Sequence, residues 1–295
     1  MPGGLAPDAI PQPLPEAPGS RRRGQGPSRR SPRRPSVFWR LRNDIPSTLR
    51  VTLVLVSLVV PFAAWSILYL LRIVDPIFLP SPVRVLGAMG DMVRSGEIFT
   101  AAGVSLQRIL IGFGLAVLVS VPLGLAMGSF RSIQSLFEPM IGLVRYMPAT
   151  AFVPLLLIWL GLGETPKIAL IFIGTVFFNS LMTANVVWQI PNELIKVSYT
   201  LGASNFTVFR KVVLPHALPG MVDAARVNLA AAWNLIVVAE LLAASEGLGF
   251  RIVRAQKFLQ IDKIFALLIV IGIIGVTTDI LLHWARKRMS PWASQ

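Results

Sequence analysis

Four stretches of this chain run without a charge for about the thickness of a bilayer. Residues 51–71, 109–130, 146–163 and 168–192 are 21, 22, 18 and 25 residues long. A helix needs about 20 mostly apolar residues to cross the hydrocarbon core. Two further apolar stretches, 222–245 and 264–285, are broken only by Asp223, Arg226 and Glu240, and by Asp279. Together they predict six spans, over about 51–72, 102–129, 140–162, 168–190, 222–245 and 264–285. Only helices and closed barrels satisfy the backbone in lipid, so the expected fold class is an all-α membrane bundle.

Composition agrees. Charged residues make up 14% of the 295 positions, against roughly 25% in a soluble domain. The net charge of +14 is concentrated at the front: residues 1–50 hold ten arginines against Asp8, Glu16 and Asp44, and ten of the 23 prolines. Such a segment cannot bury enough apolar surface to fold. Residues 1–45 are expected to be a disordered, basic, Pro/Arg-rich cytoplasmic tail, able to touch anionic membrane lipid. A nucleic-acid arm is disfavoured, because no aromatic interleaving or folded basic module accompanies the arginines. A cleaved signal does not fit, since the first apolar run starts near residue 51 and is too long. There is no cysteine, and His216 and His283 lie far apart, so no metal site is expected.

The basic tail and Arg286-Lys287-Arg288 place both termini in the cytoplasm. Two ends on one side require an even number of spans. The segment 190–221, with Lys196, Arg210 and Lys211, is then cytoplasmic, and residues 286–295 form a second cytoplasmic tail. Segment 72–101 falls outside and is nearly balanced in charge. Segment 246–263 falls outside too, although Arg251, Arg254, Lys257 and Lys263 outnumber Glu246 and Asp262. The larger bias of the tail outweighs this violation. Pro61, Pro122, Pro148 and Pro154, with Gly112, Gly114, Gly124 and Gly128, punctuate the spans. They read as kinks and close helix contacts.

The 190–221 segment is long for a helix connection. Pro191 and Asn192 suit a helix start, and Pro215 and Pro219 suit a stop. Leu194, Val197 and Leu201 fall at helical spacing, Gly202 interrupts, and Phe206, Phe209 and Val213 follow at helical spacing again. Two short amphipathic helices bent at Gly202 are predicted. Their apolar stripes suit either a partner's groove or the chain's own spans.

Gly202, nine residues, then Val212-Val213-Leu214-Pro215 resembles the signature loop of binding-protein-dependent ABC importer permeases. The family pattern is Glu-Ala-Ala, three residues, Gly, nine residues, Ile-x-Leu-Pro. Leu201-Gly202-Ala203-Ser204 and Arg210-Lys211 fit around it. Lys196-Val197-Ser198 stands where the family has Glu-Ala-Ala, and Glu193 lies three residues too early to replace that glutamate. The resemblance runs from about residue 76 to 285. It includes Leu79-Pro80-Ser81-Pro82, the Gly112 to Gly128 stretch with Pro122-Leu123-Gly124, and Val237-Val238-Ala239-Glu240 with Gly247-Leu248-Gly249-Phe250. The last pair is similar to the nitrate/sulfonate/taurine subfamily.

What the resemblance implies is a type I ABC importer permease bundle, residues 46–285, in the cell inner membrane. Its partners would be a separate ABC ATPase, a periplasmic or lipid-anchored substrate-binding protein and a second permease copy. The coupling loop 190–221 would seat in the ATPase through Lys196, Leu201, Gly202, Ala203, Phe206, Phe209, Val212, Leu214 and Pro215. Substrates compatible with the subfamily are nitrate, bicarbonate, taurine, alkanesulfonates and small heterocycles, with the basic groups favouring a small anion.

The chain has no Gly-Lys pair, hence no phosphate-cradling G-x-x-x-x-G-K-[ST] loop. ATP is therefore expected on the partner, with no cofactor here, and the chain is expected not to be an enzyme. Ionisable and amide groups inside spans are candidates for the translocation pathway. They are Arg145, Asn179, Asn185, Asn234 and Glu240, with Arg226, Asn228 and Asp279 beside them. Structural roles compete: Arg145 beside Glu138, Asn179 and Asn185 bonding across helices, Arg226 paired with Glu240, Asp279 solvated. A secondary transporter would show related halves and broken helices at midplane. A membrane scaffold would have no use for the loop.

Overall fold

The computed structural model describes residues 45–290. The chain divides into two units at Val59/Val60, within the first helix. The first unit is described from Ile45. It holds the start of α1 (Ser47–Leu70), where residues 51–59 are all exposed and all but Thr52 and Ser57 are apolar. The expected basic tail, residues 1–45, lies outside the described residues but for Ile45.

The second unit carries the rest of α1, then α2 (Pro82–Arg94) and α3 (Glu97–Ser129). α4 (Arg131–Val144), a 3₁₀ turn (Ala149–Phe152) and α5 (Val153–Leu160) follow, then α6 (Thr165–Trp188). Next come α7 (Asn192–Thr200), α8 (Asn205–Val208), a π-helical turn (Phe209–Val213) and α9 (Leu214–Ala243). α10 (Leu248–Lys257) and α11 (Ile261–Met289) complete it. Among the described residues five helices are long and apolar enough to cross a membrane, or six if the bent pair Arg131–Val144 and Ala149–Leu160 is one span.

Two of the expected spans depart most from the helices observed. The third span, placed over 140–162, is not one straight helix. α4 and the Ala149–Leu160 stretch meet at 79°. Pro148 disfavours helical geometry at the residue before it, and the chain turns at 145–148. The helix that holds the expected span 222–245 already starts at Leu214 and runs through both expected stops. Pro215 sits in the first turn, where its missing N–H is not needed. Ahead of it, Leu214 N donates to Phe209 O, five residues back, a wide turn that brings the chain into α9.

α3, α6 and α9 form the centre. Small residues let α3 and α6 approach backbone to backbone. A Cβ on Gly112 would sit 2.9 Å from Ile168 O, and one on Gly128 would sit 2.5 Å from Val187 Cβ. The main apolar core joins Ile109 and Phe113 of α3, Leu170 and Ile171 of α6, Trp233 and Ile236 of α9, and Ala266 and Leu267 of α11. Trp65 of α1 stacks on Phe265 of α11 with centroids 5.3 Å apart, and its Nε1 donates to Pro80 O at 3.1 Å. Ser81 caps α2, accepting from Arg84 N, with Pro82 in the first turn.

Candidate functional site

Two polar constructions lie at opposite ends of α6 and α9. At one end, Pro191 opens α7 and Ser204 caps α8, accepting from Thr207 N at 3.3 Å. Between them the chain turns at Gly202, whose φ of +79° is left-handed and favours glycine. The apolar side chains divide by direction. Val208 and Val213 are buried with Leu125, Val187 and Met221, and Ile195, Phe209, Val212 and Leu214 pack against them. Val197, Leu201 and Phe206 face out, the last two 81% and 69% exposed. Lys196 and Pro215 are exposed as well, and Ala203 is half-buried. The stripe divides: one row packs the segment onto α3, α6 and α9, and the other is an exposed apolar face. Beneath the segment lies a cavity of about 550 Å³, lined by Arg131, Gln134, Trp188, Asn192, Tyr199 and Phe209 among others.

At the other end, α3, α6, α9 and the start of α10 meet around Glu240. Its side chain is fully buried. It accepts from Ser105 Oγ at 2.8 Å, Arg108 Nη1 at 2.7 Å and Gly249 N at 2.8 Å. Ser105 Oγ in turn accepts from Leu248 N at 2.9 Å, and Arg108 Nη1 also donates to Glu246 O at 2.8 Å. Arg108 grips Glu164, ahead of α6, through Nε and Nη2, and buried Lys167 donates to the same carboxylate at 2.9 Å. The guanidinium, with help from Lys167, holds the Glu164 carboxyl at a pKa of about 2, although desolvation pushes the other way. A buried charge is stable only when paired and hydrogen-bonded, and this network meets both conditions. Gly247, at φ +113°, lies so close that a Cβ there would meet the Glu240 carboxylate.

Between the two ends sits a small amide layer. Asn179 Nδ2 of α6 donates to Ser120 Oγ of α3 at 2.6 Å, and Asn228 Nδ2 of α9 donates to Asn179 Oδ1 at 3.3 Å. Asn179 thus bonds across helices. Asn185 and Asn234 are exposed, and Asn234 donates to Ala230 O of its own helix at 3.1 Å. Arg145 is exposed, donates to Tyr146 Oη at 3.1 Å and lies over that ring.

Several expected pairings are corrected. Arg226 does not reach Glu240. It takes Asp279 through Nε and Nη2 at 2.8 and 2.7 Å, Asp223 at 3.3 Å and His283 Nδ1 at 3.2 Å. Residues 226 and 240 lie 14 apart on one helix, about 21 Å at 1.5 Å per residue. Asp279 is therefore ion-paired, not merely solvated. Glu138 accepts from Gln134 and not from Arg145. Glu240 and Asn179 are enclosed within the chain.

Sequence reasoning missed Ser105, Arg108, Glu164 and Lys167. The charge-free run begins at 109 and so leaves out Arg108, which lies inside the span expected over 102–129. A lone cation inside a span demands a carboxylate partner, and that demand was the available signal.

Fold and site define a multi-span helical membrane protein with an exposed amphipathic segment between its long helices. Residues 120–291 match the family described as binding-protein-dependent transport system inner membrane component. A probable ABC transporter permease of Brucella melitensis is 36% identical over 238 residues, covering 81% of this chain and 96% of that protein. The taurine transport system permease of Escherichia coli is 35% identical over 261 residues, covering 86% and 94%. A putative aliphatic sulfonates transport permease of Bacillus subtilis is 30% identical over 230 residues, covering 78% and 83%. Among solved structures, the inward-facing methionine ABC transporter MetNI superposes with a TM-score of 0.54 at 21% identity, covering 65% of this chain and 93% of that one. It shares the fold. The chain belongs to the binding-protein-dependent transport system inner membrane components, in the nitrate/sulfonate/taurine group. It is an ABC importer permease subunit of the inner membrane, and the ATPase activity of such importers resides in a separate subunit.

Proposed function

We propose that this permease pairs with a second copy of itself to form the path for a small anion, and that its 192–213 segment docks in the ATPase. The observation that carries the docking reading is the exposure of Leu201 and Phe206 on either side of the left-handed Gly202. Exposed apolar knobs on a short segment suit a partner's groove, while Phe209 and Val213 hold the segment to the long helices. Movement of the partner would then tilt α9 directly, because the π-helical turn runs into it without a break. A bundle with two discrete packings, biased by the nucleotide state of the partner, gives alternating access.

The basic N-terminal segment and Arg286-Lys287-Arg288 support cytoplasmic termini. The same topology puts the Glu240 network at the outer end. Arg145, Asn185 and Asn234, exposed in the single protomer, are the proposed pathway contacts. Glu240 and Asn179, enclosed by their partners, are assigned to helix packing instead. Relatives named for taurine, aliphatic sulfonate and nitrate transport support an oxyanion or sulfonate substrate.

Uptake of labelled nitrate, bicarbonate, taurine and an alkanesulfonate by cells with and without the gene tests the substrate. Loss of one anion's uptake names it. Undiminished uptake of all four would sink the anion reading.

A further inference from the structure

Segment 246–263 carries more cations than carboxylates, at the end of the bundle opposite the docking segment. The fold gathers part of that charge. The end of α2, the start of α3, α10 and the start of α11 enclose an open pocket of about 330 Å³. Its inner wall is apolar: Met92, Ala255 and Leu267 are all buried. Arg251, Arg254 and Lys263 line it with Glu97 as the carboxylate. Glu97 is taken by Arg251 Nη1 at 2.5 Å. Among the described residues, Arg254 and Lys263 have no ion-pair partner.

Depth is set by α11. Lys263 is the last charge before the apolar run 264–278, so the mouth of the pocket lies where hydrocarbon gives way to headgroups. Phe258, 67% exposed, stands on the α10–α11 turn at the pocket's edge. Leu259 beside it, also exposed, adopts φ +51°, a left-handed conformation that a residue with a Cβ rarely takes.

We propose that this pocket is a binding site for an anionic phospholipid. Arg254 and Lys263 take the headgroup phosphate, and an acyl chain lies over Phe258 and the apolar wall. Free cations beside an apolar surface match an amphipathic anion. A small solute anion would be served by the cations alone. An acidic protein surface would need cations standing clear of the bilayer, whereas Lys263 adjoins the first apolar turn of α11. The site rests on the membrane-spanning fold; only its assignment to the outer leaflet rests on the topology proposed above.

Native mass spectrometry of the full-length protein in detergent, titrated with phosphatidylglycerol or phosphatidylcholine, tests it without transport. The wild type is expected to retain phosphatidylglycerol preferentially. Arg254→Gln and Lys263→Gln should each cut that preference about fivefold, since a cation near a lipid surface contributes about 1 kcal/mol. Lys257→Gln, which removes a cation outside the pocket lining, should leave it unchanged. Equal loss from all three variants would mean diffuse surface charge and overturn the site. So would an unchanged lipid preference in Arg254→Gln and Lys263→Gln accompanied by lost ATPase stimulation by the binding protein, which would assign the surface to protein docking.

Discussion

Arg108 of α3 and Glu240 of α9, 132 residues apart, meet at 2.7 Å with both side chains cut off from solvent. Removing one partner of such a pair strands the other charge, at a cost of about 3–5 kcal/mol. Arg108→Leu should be the more damaging change, because Glu240 is left with only Ser105 Oγ and Gly249 N. Glu240→Leu should cost less, as Arg108 keeps its fork on Glu164. The double variant is expected to be more stable than Arg108→Leu alone, since no uncompensated carboxylate remains at position 240. Unfolding temperatures of the three proteins in one detergent would decide; a strictly additive cycle would mean the pair is not coupled.

Close packing of α3 on α6 gives a second contrast. A Cβ on Gly124 would strike Ser180 O and lie 2.5 Å from Thr183 Cβ. The main-chain oxygen cannot swing aside, so Gly124→Ala should destabilise by about 1–3 kcal/mol. Gly114 lies in the same helix with nothing within 4 Å of its missing Cβ. Gly114→Ala should be neutral or stabilising by up to about 1 kcal/mol. Thermal melts of the two variants side by side test whether contact, and not helix propensity, governs these glycines.

The bilayer-length runs, the bend at Gly202 and the amphipathic stripe were readable because each is a local pattern in consecutive residues. Gly202 and the start at Asn192 follow from turn and helix-start chemistry alone. The bend at 145–148 was less legible, because Pro148 sits inside an unbroken apolar run and hydropathy does not register direction. Which row of the stripe faces outward was not legible either. Phe206 and Phe209 are chemically alike, and only packing against Leu125 and Val187 separates them. The partner of Glu240 was missed for a similar reason. The apolar stretch 222–245 holds Arg226 as its one cation, while the partner Glu240 meets belongs to a helix 132 residues earlier.

Glu164 adds a pH dependence. Its pKa is depressed to about 2 by Arg108, opposed by desolvation and aided by Lys167. A depressed carboxylate stabilises the fold above its unfolded pKa, about 4.3. That contribution is lost as pH falls from there through about 2. Protonation would leave buried Lys167 and Arg108 short of a counter-charge. The Glu164 side chain is 56% exposed, so solvent screens part of the effect. The unfolding temperature is expected to hold steady from pH 8 to pH 5 as far as this residue is concerned and to decline below. Glu164→Gln should lower it at pH 7 and flatten the decline at acid pH. A parallel offset at all pH values would remove Glu164 as the titrating group.

The 192–213 segment allows stability and coupling to be tested separately. Leu201 and Phe206 make little use of their side chains within the chain. Replacing either by alanine should shift stability by no more than about 0.5 kcal/mol, as at other exposed positions. If they are the apolar anchors for the ATPase, each truncation should cost about 2 kcal/mol of association, roughly a thirtyfold loss of affinity. Val213, buried beneath the same segment, should behave in the opposite sense. Val213→Ala removes core contacts and is expected to lower the unfolding temperature, with ATPase retention reduced only through that loss. Co-purification of the ATPase, scored beside the melting temperature of each variant, resolves the two effects. Full retention by Leu201→Ala and Phe206→Ala, with folded permease, would show that the exposed row is not the docking face. The partner would then have to engage the polar positions Lys196 and Arg210 instead.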